Sequence, residues 1–406
     1  MKVLALITEY NPFHFGHKHH LDLSNKEIDA SHTMAIMSGS FVQRGEPSFV
    51  DKWTKAKIAI DSGVDLVIEL PFVYSCQSAE LFALGAVKIL ESTNIVDYIS
   101  FGSEAGHLNP LEKISQVLVH ESEMFKTSLR YHLDQGMSYS ASRSKAVEKV
   151  LGDSSSAHIL KNSNNILGIE YLKALKALNS RVKPYTIQRL GHYYNDKIIS
   201  HKLASATGIR HKIRTEGIAS IKNLVPEATY RHLFNYHKLY KNFNYLENYS
   251  HVMDYLLITK TKDSLKKIQD MEAGLENRLI KMNKSATDLN DLVEKVSSKR
   301  YTKTRIQRIL IHLLMGLDSS TIYTLYKEPN RYIRVLGSNK KGFELLRKIK
   351  ENSNLHIINK FADIKYLEDE STNLILDYEK MATDLYYFGT NNKKYNMDYL
   401  ITPYIK

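Results

Sequence analysis

The chain has 406 residues, 43% hydrophobic and 25% charged, enough for two packed domains at about 150 residues each and ordinary for a globular protein. Its 56 Lys and Arg against 44 Asp and Glu give a net charge of +12, which favours a polyanionic partner, nucleic acid ahead of membrane. A single cysteine, Cys76, excludes a disulfide framework and a cysteine-rich zinc site and fits a reducing compartment, so a cytoplasmic location is expected.

The first apolar run, Val3-Leu4-Ala5-Leu6-Ile7, predicts a short buried strand. It stops at Thr8-Glu9, too early for the core of a secretory signal. No stretch nears the roughly 18 apolar residues that spanning a bilayer needs, so no membrane association is expected. Next comes Glu9-Tyr10-Asn11-Pro12-Phe13-His14-Phe15-Gly16-His17, a tight Asn-Pro turn followed by two histidines flanking a glycine where a helix should begin. Gly16 lets the backbone approach a phosphate, the helix N-terminus offers unpaired N–H groups, and His14 and His17 can donate hydrogen bonds to charge developing during transfer. The arrangement suits a nucleoside triphosphate attacked at its α-phosphate, with Ile7 through His17 and the following Lys18, His19 and His20 expected to line it. No glycine-rich P-loop is present. The His-x-Gly-His form instead resembles the signature of the nucleotidylyltransferase superfamily. With no cysteine near His14, His19 and His20, no protein-bound metal is expected.

Further strands are predicted at Thr33–Met37, Asp65–Leu70, Val96–Phe101 and Val182–Ile187, with helices at Asp51–Asp61 and Ser78–Leu90 between them. Alternation of this kind implies an α/β fold with a Rossmann-like parallel sheet, which binds ligands at the carboxyl ends of its strands. The loop Ser38–Pro47 follows the second strand, and its Gln43 and Arg44 are candidates for a carboxylate or phosphate. Gly102, ending the fourth strand, leaves room for a ribose or base. Asn162–Gly168 opens a helix with more Asn than capping needs, so Asn164 or Asn165 is a candidate reader of an adenine edge. Arg189 is a further nucleotide candidate. Ile199-Ser200-His201 and then Ser205-Ala206-Thr207-Gly208-Ile209-Arg210 put hydroxyls at a helix start and an arginine one turn in, a second anion site built on Thr207 and Arg210.

Beyond about residue 220 helical periods prevail, as in Asp254–Asp270, Leu275–Met282 and Arg305–Met315. The expected division is a nucleotidylyltransferase-like ATP-binding domain, 1–220, and a mostly helical domain, 221–406, that would meet a polyanionic nucleic acid. The densest basic run holds Lys299, Arg300, Lys303, Arg305 and Arg308. Such a stripe can track an RNA backbone, while Tyr301 and Tyr332 can stack on unpaired bases.

Together with Met37-Ser38-Gly39-Ser40-Phe41-Val42-Gln43-Arg44-Gly45-Glu46-Pro47, Asp65-Leu66-Val67-Ile68-Glu69-Leu70-Pro71, Asn164-Asn165-Ile166-Leu167-Gly168, the run Lys299–Arg308 and Tyr332-Ile333-Arg334-Val335-Leu336-Gly337, the leading motif resembles the bacterial tRNA(Met) cytidine acetate ligase family over nearly the whole chain. The resemblance implies that ATP and acetate form acetyl-adenylate, and that the acetyl group passes to the wobble cytidine of elongator tRNA(Met). It implies catalytic roles for His14, His17, Thr207 and Arg210, the last two within a Ser-x-Thr-x-x-Arg second signature. Mg2+ would bridge phosphate oxygens, and no protein partner is evident. Ala206 departs from the second Ser that related transferases often carry. The alternatives are an adenylyltransferase acting on a small phosphorylated metabolite and a noncatalytic RNA-binding protein.

Overall fold

A computed structural model describes residues 1–189, 204–392 and 394–406. Its strands are β1 (Val3–Thr8), β2 (His32–Ser38), β3 (Phe41–Val42), β4 (Glu46–Pro47), β5 (Leu66–Leu70), β6 (Tyr98–Ser103), β7 (Lys183–Gln188), β8 (Tyr332–Ser338), β9 (His356–Ile358) and β10 (Tyr404–Ile405). Successive residues of β1 enter two different cores, Val3 and Ala5 on one face and Leu4 and Leu6 on the other. Burial on both faces explains the unbroken apolar run, as parallel sheets require. The main sheet has the order β10-β8-β5-β2-β1-β6-β7, with β9 added beside β8. Pairing is parallel from β5 through β7, and β8 joins β5 antiparallel.

All five expected strands are present in this sheet, and the expected helices follow. Helix α1 (Phe15–Ile28) returns from β1, and α2 (Lys52–Asp61) starts where the Asp51 carboxylate accepts the Thr54 N–H at 2.7 Å. A third helix, Ala79–Thr93, is capped by Ser78. Among the described residues no helix is long and apolar enough to cross a membrane.

Two expectations about the C-terminal half need correction. The predicted helix over Asp254–Asp270 is two helices, Ser250–Thr259 and Lys262–Lys266, because the Thr261 hydroxyl caps the second by accepting the Ser264 N–H at 3.2 Å. The second is topological: the expected boundary near 220 does not part the sheet from the mostly helical remainder, since β8 to β10 return to the sheet built by the first half. Arg334 in the centre of β8 disguises that strand in the sequence.

Arg334 belongs to a buried ionic cluster that ties the two halves together. Lys52 Nζ on α2 lies 2.7 Å from Glu69, 2.8 Å from Asp398 and 3.7 Å from Glu379. Arg334 reaches Asp398 at 2.7 Å and Glu69 at 3.5 Å. All five residues are at most 5% exposed. Burial, reinforced by the charge of Glu69, raises the Glu379 carboxyl well above its usual range. Burial opposes charge on Lys52, yet Asp398 and Glu69 outweigh it and hold its pKa up. With Glu379 protonated, two cations face two carboxylates and the cluster is neutral, the condition under which buried charge is tolerable. Lys52→Met, which orphans the carboxylates, should cost about 3–5 kcal/mol. Glu379→Gln should stay within about 1 kcal/mol of the parent, because an already neutral side chain is replaced by a neutral one. Urea unfolding of both variants checks this, and equal losses would contradict the charge assignment.

Candidate active site

Strands β1, β2 and β6 are mutually parallel, so their carboxyl ends share one edge. At the end of β1 the backbone reverses through Tyr10 (φ +47) and a cis Asn11–Pro12 bond. Phe13 is fully buried, and His14, 6% exposed, becomes the N-cap of α1. The cap is built from imidazoles. Nδ1 of His14 accepts the Gly16 N–H at 3.0 Å, and Nδ1 of His17 accepts the His14 N–H at 3.3 Å, a reciprocal box of the kind usually made by a hydroxyl and a carboxylate. Accepting at Nδ1 assigns the proton of each neutral ring to Nε2. The two rings stack with centroids 3.8 Å apart, and Tyr10 and Phe13 pack against His17. A Cβ on Gly16 would stand 2.9 Å from the His14 ring, so glycine is needed here for the ring to fold back over the helix start.

The histidines are neutral near pH 7. Burial, then the charge of Arg189, pushes His14 down to about 4. Burial, Arg189 and His19 take His20 to about 4, and burial with His14, Arg189 and His20 holds His17 well below 6.5. His20 also meets the Ser100 hydroxyl of β6 at 3.0 Å. The site therefore presents imidazole N–H donors without imidazolium charge.

Positive charge comes from arginines on other elements. In the helix Ala206–Glu216, Ser205 caps by accepting the Gly208 N–H at 3.1 Å. One turn in, Arg210 donates to the Asn11 carbonyl at 2.8 Å and to Glu46 at 2.9 Å, so the second expected anion site is bonded directly to the first. Thr207 is exposed on the first turn of that helix. Ile199, Ser200 and His201 lie outside the described residues. Arg189 follows β7 with its N–H on the Ser103 carbonyl at 2.9 Å, and its side chain lies over Gly102, where a Cβ would come within 2.9 Å of Arg189 Cγ. The space expected above Gly102 for a ribose thus holds an arginine stem. Gln43 donates its backbone N–H to Glu9 at 2.8 Å, and Arg44 is exposed beside it.

Some expected residues serve the scaffold. Asn165 is 2% exposed, with its amide oxygen on the Ala105 N–H at 3.0 Å and its amide nitrogen on the Ile159 carbonyl at 3.2 Å. Both ends of that amide are engaged within the protein. The Asn164 amide donates to Glu104 at 2.6 Å. Lys18 pairs with Asp22. The basic run is divided as well: Lys299 and Arg300 are exposed, Arg300 and Arg305 pair with Glu272, and Lys303 pairs with Glu294. Arg308, 8% exposed with Nε 3.3 Å from Asp270, is withdrawn from the surface stripe, because its helix position packs against the β3–β4 hairpin at Gly45.

Three contributors went unassigned in the sequence. Glu104 anchors the backbone N–H groups of Asn164 and Asn165 and faces Arg189. Glu46 orients Arg210. Lys55 of α2, fully buried, donates to the carbonyls of Glu9, Ser38 and Gly39 at 3.3, 2.7 and 2.9 Å, clamping the ends of β1 and β2 together.

This geometry agrees with the comparisons to known proteins. The profile of the HIGH Nucleotidyl Transferase family matches residues 1–399. The tRNA(Met) cytidine acetate ligase of Thermoanaerobacter sp. (strain X514) is 42% identical over 406 residues, covering all of both chains. That of Clostridium perfringens (strain ATCC 13124) is 40% identical over 413 residues, again covering both completely. The chain belongs to the tRNA(Met) cytidine acetate ligase family of HIGH nucleotidyl transferases. Among solved structures, Thermotoga maritima TmcAL bound with alpha-thio ATP superposes with a TM-score of 0.93 at 29% identity, covering 100% of this chain and 99% of that one. The apo form of the same protein gives 0.94 at 29% identity with the same coverage. The Rossmann-like nucleotidylyltransferase fold of this family is the architecture described above.

The neutral histidines make stability depend on pH. Folded His20 protonates near 4, whereas an unfolded histidine does so near 6.5. Between those values the unfolded chain binds more protons, so this contribution is lost as pH falls from about 6.5 to about 4. Urea unfolding across that window should give a shallower loss for His20→Asn than for the parent chain; parallel curves would contradict it.

Proposed function

We propose that this protein is an ATP-dependent ligase that activates acetate as acetyl-adenylate and acetylates N4 of the wobble cytidine of elongator tRNA(Met). The observation that carries this reading is that Arg210 donates to the Asn11 carbonyl of the same loop that leads into the neutral His14–His17 cap at the carboxyl end of β1. Names of full-length relatives at 40–42% identity support it.

In the first step a carboxylate oxygen of acetate attacks the α-phosphorus of ATP. The new O–P bond replaces the bond to pyrophosphate, which leaves with its electron pair. Acetate, of pKa about 4 to 5, is already ionised, so no general base is required. The task of the protein is to place the reactants and meet the charge that develops on the phosphates. His14, His17 and Arg210 are assigned to that charge, with Thr207 on the turn that precedes Arg210. Gln43 and Arg44 stand at the same edge as candidates for the acetate. Arg189 marks the side assigned to the adenosine. In the second step the N4 lone pair adds to the acetyl carbonyl carbon, the carbonyl carbon–oxygen bond to AMP breaks, AMP leaves, and N4 releases a proton to solvent.

Among the described residues no three His, Cys, Asp or Glu side chains gather as a metal site. Mg2+ would arrive with the triphosphate and would help neutralise its charge. The helical portion beyond residue 220 is proposed to bind the tRNA, with Lys299, Arg300 and Arg305 meeting its backbone.

Incubation with ATP, radiolabelled acetate and total tRNA should place label in tRNA; AMP joined to a metabolite instead would select the adenylyltransferase reading. His17→Ala should lower acetate-dependent ATP–pyrophosphate exchange by about 100-fold or more while tRNA affinity changes less than about twofold. Arg300→Ala should weaken tRNA binding and lower the slope of log affinity against log salt by about one, measured by filter binding. An unchanged slope would remove this residue from the RNA interface.

A further inference from the structure

Arg210 has a second neighbourhood. On its Glu46 side lies a cavity of about 160 Å³ lined by Glu46, Arg214, Tyr245, Glu247 and Asn290 together with Arg210 itself. Its size admits one heterocyclic ring and its substituents. Its lining is mostly polar, with Pro47 and Leu246 alongside, and is ordered by its own contacts. Arg214 is paired with Glu247 and lies over the Tyr245 ring, 5.2 Å from the centroid. Asn290 donates to the other Glu247 oxygen at 3.0 Å. Phe49 packs edge-on against Tyr245 from within the protein. About half of the Arg214 side chain, 54%, remains exposed, so the cavity has a mouth to solvent.

We propose that this cavity is the pocket for the target pyrimidine, a cytosine extruded from the RNA. The inference rests on the acetyl-transfer reading above and deepens it. Cytosine carries an N4 amine that donates and N3 and O2 atoms that accept. The cavity offers the complement, carboxylates on Glu46 and Glu247 beside guanidinium donors on Arg210 and Arg214. Carboxylates are the side chains that accept from cytosine N4, and unpaired RNA bases stack on aromatic rings or guanidinium planes, here Arg214 and Tyr245. Extruded bases are read in this way, by their Watson–Crick edge and by stacking.

Two further observations select an RNA base over a free metabolite. Between residues 204 and 241, the segment that supplies Arg210 and Arg214, seven Lys and Arg stand against two Glu; four of them pair with Glu46, Glu216, Glu247 and Asp61, while Lys222, Lys238 and Lys241 are exposed to meet a phosphate backbone. And Arg210 is the shared wall: its guanidinium borders both the Asn11 carbonyl of the nucleotide loop and Glu46 of the cavity. A base seated there lies next to the site assigned to the activated acetyl group. Uracil would present an acceptor, O4, where cytosine presents the N4 donor, and would set it against the carboxylates.

The test uses the full chain and two synthetic anticodon hairpins that differ only in C or U at the wobble position. By fluorescence anisotropy the parent protein should prefer the C hairpin by about tenfold. In Glu247→Gln and in Asn290→Ala that preference should fall below about twofold, with circular dichroism confirming that both variants are folded. A parent protein blind to C against U would overturn the pocket, as would a preference that survives both substitutions. Loss of the preference on saturation with a non-hydrolysable ATP analogue would mean that the cavity takes the nucleotide base instead, which also overturns it. Acetate-dependent ATP–pyrophosphate exchange by the parent protein reports separately on the ligase reading, so failure of either claim is seen on its own.

Discussion

Helix α2 carries the constraint on which the rest of the structure depends: two buried ammonium groups one turn apart, Lys52 and Lys55. Removing an ammonium from water costs several kcal/mol even after relaxation, so each must be met by a full set of partners, and those partners fix the fold. Lys55 meets three backbone carbonyls and the Ser48 hydroxyl, the last at 2.6 Å. Its carbonyl partners belong to the ends of β1 and β2, where the chain must stop pairing and turn outward. Burial without a directly bonded carboxylate takes its pKa down to about 7. Lys52 meets carboxylates from β5 and from residues 379 and 398, more than 300 positions later in the chain. One helix thus sets the floor of the ligand edge and locks the C-terminal segment onto the sheet.

That coupling bears on how function is distributed. A helical portion that merely followed the sheet could move as a separate body. Here the chain leaves the sheet after β7, builds the helices between 204 and 325, and returns through β8 to be held by Arg334 and Asp398. The helices lie within a closed excursion anchored at both ends. Arg210 is near its start, and Arg305 and Arg308 are near its end, where Gln307 of the helix Lys303–Met315 meets Glu46 at 3.4 Å. The hairpin β3–β4 is therefore gripped by both ends of the excursion. A group held on these helices is held in fixed relation to the nucleotide loop, which a two-step transfer between distant parts of two substrates requires.

Legibility in the sequence follows locality. The strands β1, β2 and β5 were readable because both faces are buried and apolar residues dominate them; β6 and the partly exposed edge strand β7 were readable from shorter apolar stretches between helical segments. The starts of α2 and Ala79–Thr93 were readable within a residue, and Asp51 and Ser78, where the expected helices begin, cap them through N–H groups three residues away. By contrast β8 contains Arg334, which is tolerable only beside Asp398, and no local pattern announces a partner 64 residues on. The withdrawal of Arg308 follows from the packing of its helix on Gly45, and its one-turn spacing from Arg305 says nothing of that. The His-x-Gly-His motif was visible as residue types, yet its internal logic was not. Histidine is an unusual N-cap, and nothing in the order of letters shows that Gly16 makes room for an imidazole or that the Arg189 stem covers Gly102. Lys55, Glu46 and Glu104 act only through neighbours remote in the chain.

The pairing of neutral histidines with arginines in the site is itself a physical solution. At an effective dielectric constant of about 20, two unit charges about 4 Å apart repel by about 4 kcal/mol. The His14 and His17 rings stand 3.8 Å apart, with Arg189 near both, so two imidazolium ions there would oppose the stack and the capping box together. Protonation would also place a proton on Nδ1, the atom that each ring uses to accept a backbone N–H, and would break the helix start that positions them. The cap and the neutral state therefore require one another. Net charge for a polyanionic nucleotide must then come from groups that neither cap the helix nor titrate near neutrality, and guanidinium groups meet both conditions. One follows β7 and the other lies on the helix Ala206–Glu216, so a triphosphate proposed for the α1 N-terminus would draw its charge from two separate elements while the imidazole donors stay uncharged.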